Sequence, residues 1–71
     1  MNQQEKFWNL IKNYETHFTS WRYGQILFNA LFDVNPELAN EIRASDLDPF
    51  FETERNSKKI TKFIEFVTKR L

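Results

Sequence analysis

The stretch "WRYGQILFNALF", Trp21 to Phe32, decides how this chain is read. Laid on a helix at about 100° per residue, Tyr23, Leu27, Ala30, Leu31 and the nearby Val34 share one face. Trp21, Phe28 and Phe32 form a second apolar strip, and Arg22, Gln25, Asn29 and Asp33 fall in the narrow arc left over. A helix apolar over most of its circumference lies at the centre of a fold or meets another molecule. A helix over 21–34, with neighbours on at least two sides, is therefore expected to be the axis of the domain. Gly24 falls in its first turn, where glycine costs about 1 kcal/mol relative to alanine. Its presence predicts close approach by another segment.

Upstream, Phe7, Leu10, Ile11 and Tyr14 recur at helical spacing and predict a helix over 3–14. Trp8 sits at the edge of its buried face, "ETHFTS" breaks the pattern, and Thr19 or Ser20 offers an N-cap for the next helix. Downstream, Asn35 suits an N-cap, Pro36 the first helical position and Glu37 the first turn. That helix is expected to end near Ala44, with Leu38, Ala39 and Ile42 pointing inward. Asp48 before Pro49 repeats the cap-and-proline signal. It predicts one or two helical turns, with Phe50 and Phe51 anchored in the core. Asn56 or Ser57 caps a last helix over 58–71, whose Ile60, Phe63, Ile64, Val67 and Leu71 share a face. Lys58, Lys62, Glu65 and Lys69 share the opposite one, and Phe66 falls between Lys59, Lys62 and Arg70. With one glycine and two prolines, the chain has few helix breakers. The expectation is an all-α domain over 1–71, a compact orthogonal bundle of four helices with a short helical turn at the Asp48-Pro49-Phe50 segment.

A chain of 71 residues buries only about 60% of the surface its unfolded form exposes, so its stability is marginal. No cysteine is present, which excludes disulfides and thiolate metal sites and fits a reducing, cytoplasmic setting. The single histidine, His17, leaves no His-rich metal site. Heavy aromatic burial or self-association remains as the stabilising device, and aromatics make up 17% of the chain, eight of them Phe. No apolar run suggests a signal peptide or a membrane span. The net charge is zero, so no global attraction to nucleic acid or membrane is expected. The charge is nevertheless polarised: residues 33–54 hold seven acids against Arg43, and residues 55–71 hold six bases against Glu65. The simplest expectation is that the two stretches neutralise one another or are solvated.

No catalytic constellation stands out, and no cofactor or small-molecule substrate is implied. His17 is alone, and Ser20, Ser45 and Ser57 read as cap or turn residues outside any nucleophile elbow. A single glycine builds no phosphate loop. Asp46 and Asp48 read first as a turn signal, with no calcium loop behind them. A domain this small is also expected to have little depth for a water-excluding pocket of ~300 Å³ or more. The chain is read as a non-enzyme.

Part of the chain resembles a family of small, uncharacterised bacterial and phage proteins. The pattern, R-x-G-Q, F-N-x-L, P-x-L-A, I-R and D-P-F-Y, spans residues 22–51. It matches Arg22, Gly24, Gln25; Phe28, Asn29, Leu31; Pro36, Leu38, Ala39; Ile42, Arg43; and Asp48, Pro49, Phe50. Ala44-Ser45 stand where the pattern carries Gly-Thr, and Phe51 where it carries Tyr. The resemblance implies a shared small fold and a phage or mobile-element origin, and it brings no catalytic residue.

Arg22, Gln25 and Asn29 share one helix edge, and Asp48 lies in a turn whose backbone needs partners. A polar clasp is expected, with Arg22 paired to Asp46 or Asp48 and Asn29 bonded to backbone. Of the aromatics, Trp8, Trp21, Phe32 and Phe66 are the hardest to hide. They make a protein-interaction module the leading functional reading, its partner a host protein or a second copy of the chain. The phage resemblance adds the role of inhibitor or modulator of a host enzyme or defence complex. The alternative is nucleic-acid binding through the basic last helix, with Lys58, Lys59, Lys62, Lys69 and Arg70 on phosphate and Phe66 stacked on a base.

Overall fold

In a computed structural model of the protein, which describes residues 2–71, four helices pack with no strand among the described residues. They are α1 (Gln3–His17), α2 (Tyr23–Val34), α3 (Pro36–Ile42) and α4 (Lys58–Arg70). The packed chain measures 28 × 27 × 18 Å. The all-α four-helix architecture expected from the sequence is what forms.

Asn2 caps α1 by accepting the Glu5 N–H at 2.8 Å. The helix runs three residues past the expected end. Polar character alone does not stop a helix, and "ETH" contains no glycine or proline. Thr16 and His17 bond back to the carbonyls of Lys12 and Asn13, one turn earlier. Neither Thr19 nor Ser20 caps α2, and Trp21 lies outside it. The N-cap is Arg22, whose N–H donates to the side chain of Gln25 at 3.4 Å. The cap of α3 is as expected, with the Asn35 side chain on the Leu38 N–H and Pro36 next to it. Ser57, rather than Asn56, caps α4 through the Ile60 N–H.

α2 is the axis of the fold, with Gly24, Ile26, Leu27, Phe28, Ala30 and Leu31 buried. Phe7 and Ile11 of α1, Leu38, Ala39 and Ile42 of α3, and Ile60, Phe63 and Val67 of α4 close around it. Burial of such side chains contributes roughly 1.5–3 kcal/mol each. Phe7 and Phe63 bring α1 and α4 together with ring centroids 6.5 Å apart. The enclosure expected for α2 is incomplete at one place, because Phe32 is 40% exposed.

Residues 43–57 carry no helix. α3 stops at Ile42, two residues before the expected end. Ala44 then adopts φ 62, the left-handed region that suits glycine. The expected helical turn at Pro49 is a single tight turn, closed by the Glu52 N–H on the Pro49 carbonyl at 2.8 Å.

Candidate functional site

The connection from α3 to α4 docks on α2 through one contact that only glycine permits. A Cβ on Gly24 would stand 1.7 Å from the Pro49 carbonyl oxygen, and the Gly24 N–H donates to the Glu52 carbonyl at 2.9 Å. Pro49 is fully buried there. This is the close approach that a glycine in this turn predicted.

The connection also bonds part of its own backbone around the buried Pro49. Asp48 accepts the Ala44 N–H at 2.7 Å on one carboxylate oxygen and the Phe50 N–H at 3.0 Å on the other. Ser45 accepts the Leu47 N–H and donates to the Ile42 carbonyl. Asp48 is thereby occupied, and Arg22 does not pair with it or with Asp46. Instead Arg22 Nε donates to the Phe50 carbonyl at 3.2 Å. Gln25 turns back to the helix N-terminus. Asn29 is half-buried and its side chain makes no hydrogen bond to a described residue, against the expectation of a bond to backbone. The clasp on the turn is thus made by Arg22 alone, to a carbonyl rather than a carboxylate.

Docking Pro49 inward turns Phe51 outward. Adjacent side chains in a turn diverge, so the "PFF" run cannot bury all its members. Phe50 is half-buried, whereas Phe51 is 80% exposed, not the core anchor that the sequence suggested. Between this turn and α2 lies an open cleft of about 400 Å³, lined by Phe28, Asn29, Phe32, Arg43, Asp48, Phe50 and Phe51. Phe28 meets Phe50 edge-on at 6.0 Å, and Phe50 meets Phe51 at 5.2 Å.

Two guanidinium groups lie over these rings. That of Arg22 is 5.3 Å from the Phe50 centroid and 5.2 Å from that of Phe51. That of Arg43 is 5.5 Å from Phe28 and 5.7 Å from Phe32. Cation–π contacts of this kind are worth ~0.5–1 kcal/mol when exposed. Among the described residues neither arginine has a carboxylate partner.

The residues singled out from the sequence as contact candidates do not form one patch. Phe32 lines the cleft just described. Trp21 lies on a different side, stacked on Phe18 at 4.2 Å and 10° and near Tyr14 at 5.8 Å. Lys62, Phe66 and Arg70 meet in a third hollow of about 420 Å³ with Leu47, Glu65 and Lys69. Arg70 lies 5.2 Å over the Phe66 ring and pairs with Glu41 at 3.2 Å, so the basic end does meet the acidic middle. Lys59 is exposed, and Trp8 is half-buried, edge-on to Phe7 at 5.2 Å. Phe51 and Arg43 were missed. The signal available for Phe51 was its place after an Asp-Pro turn, where only some of three adjacent apolar residues can face inward.

Two further polar contacts fasten α2 to its neighbours. Tyr14 donates to Asp33. Burial, and then the neighbouring carboxylate, push the Tyr14 hydroxyl up to about 12. Arg55 pairs with Glu15 at 3.2 Å and lies 4.4 Å over the Tyr23 ring. Its hydrogen bond to Glu15 holds its pKa above the ordinary value.

No group of three His, Cys, Asp or Glu is placed to hold a metal ion among the described residues. None of the described helices is long and apolar enough to cross a membrane. In comparisons with known proteins, no family model, curated protein or solved structure matches the chain.

Proposed function

We propose that the chain is a small non-catalytic protein-interaction module, and that its contact surface is the aromatic cleft between α2 and the 43–51 segment. The observation that carries this reading is Phe51, 80% exposed on a turn that is itself rigidly docked. Holding a phenylalanine in water forgoes the ~1.5–3 kcal/mol its burial would contribute, and aromatic residues are enriched at interfaces. Phe32, also exposed, continues the surface on α2. The phage resemblance would make the partner a host enzyme or defence complex.

Nucleic-acid binding through α4 is less well supported. Arg70 is engaged by Glu41, and Glu65 lies among the lysines of that hollow. A tagged chain used as bait in its source cell separates the readings. Phe51→Ser is expected to lose the captured partner with an unchanged thermal midpoint, while Lys62→Glu keeps it. Capture that survives Phe51→Ser would contradict the proposal. So would binding to generic DNA at low salt that falls steeply as salt is added.

A further inference from the structure

We infer that the occupant of this cleft is a peptide segment in which a carboxylate lies beside an aromatic or aliphatic side chain. The inference rests on the reading of the cleft as the contact surface and adds the chemistry of what fills it. The walls are apolar rings from Phe28, Phe32, Phe50 and Phe51, which an apolar side chain would cover. At about 400 Å³ the cleft has room for one or two side chains of a protruding segment.

The polar groups set the charge. Arg43 lines the cleft with its guanidinium over Phe28 and Phe32, and Arg22 lies outside the lining with its guanidinium over Phe50 and Phe51. Arg22 uses Nε on the Phe50 carbonyl, and its terminal N–H groups have no partner among the described residues. Arg43 has neither a carboxylate nor a hydrogen-bond partner for its side chain there. Guanidinium forks match carboxylates in geometry and charge. The one acid in the wall, Asp48, has both oxygens occupied by backbone N–H groups. Asp46 and Glu52 belong to the same connection but do not line the cleft. The side-chain amide of Asn29, unbonded among the described residues, offers a donor and an acceptor to the peptide backbone of an extended segment. A bare polyanion would leave the rings uncovered.

The test is a titration of the whole ¹⁵N-labelled chain with two blocked peptides. One is acetyl-Glu-Leu-Phe-Glu-amide, and the other carries glutamine in place of both glutamates. At millimolar peptide the acidic probe is expected to shift the Asn29 side-chain amide and the backbone signals of Arg43, Phe50 and Phe51. The glutamine probe should bind about tenfold more weakly, and Arg43→Gln should erase most of that difference. Equal binding of both probes at the cleft overturns the carboxylate requirement and leaves the contact surface standing. Shifts confined to Lys62, Phe66 and Lys69 overturn the choice of surface as well. An absence of shifts with either probe overturns this occupant alone, since Phe51→Ser in the capture experiment tests the surface separately. Cleft shifts that appear on concentrating the chain without peptide also overturn it, in favour of a second copy.

Discussion

Pro49 and Phe51 are two residues apart, and the structure treats them oppositely. Pro49 is sealed against Gly24, and Phe51 stands in water. Both outcomes come from one turn. The Asp48 carboxylate ties it at its start, the Glu52 N–H closes it, and Gly24 lets it sit against the α2 backbone. The comparison teaches that exposure here is imposed by anchoring. A loosely held Phe51 could fold back onto α2, whereas a docked turn has no freedom to let it.

The contrast is broken most severely at the anchor. Gly24→Ala places a methyl group against the Pro49 carbonyl, so the turn must lift away. Overpacking on this scale costs typically 1–3 kcal/mol, and the Gly24–Glu52 and Arg22–Phe50 bonds go with it. A loss of about 3 kcal/mol in urea unfolding is expected, enough to unfold a large share of so small a domain. A variant as stable as the parent would mean that the turn is not docked.

The same anchor can be tightened. Ala44 holds φ 62 in a region that costs a non-glycine residue about 1–2 kcal/mol. Its N–H is the donor that fixes Asp48. Ala44→Gly removes that strain but adds freedom to the unfolded chain. A net gain of about 0.5–1 kcal/mol in the same urea experiment is expected.

The tie between α1 and α2 offers a comparison in pH. Because the Tyr14 hydroxyl is raised to about 12 when folded, its protonated form is favoured by the fold. That contribution is fully present below pH about 10, the ordinary tyrosine value, and is lost as pH rises toward 12. Ultraviolet titration should show one tyrosine ionising late, and Tyr14→Phe should abolish the late step.

How far the sequence foretold this molecule depends on the range of the cause. Asn35-Pro36 and Ser57 are local signals, read by the backbone next to them, and both caps form as expected. Gly24 was legible as a close approach because no helical reason for a glycine exists there. The start of α2 was not legible: Arg22 is an uncommon N-cap, and the obvious candidates Thr19 and Ser20 lie in the bend before it. The cleft was half legible. Asn29 and Phe32 follow from helical spacing, but Phe51 and Arg43 depend on how a non-helical connection folds back across α2. The expected pairing of Arg22 with Asp48 failed for a similar reason, since the backbone of the turn itself claims that carboxylate.

The smallest expected effect tests the central claim most directly. Phe51→Ala, followed by urea unfolding, should move stability by no more than about 0.5 kcal/mol, as for an ordinary surface position. A loss of about 3 kcal/mol, the cost of truncating a core phenylalanine, would place Phe51 inside the fold and leave the cleft without its outer wall.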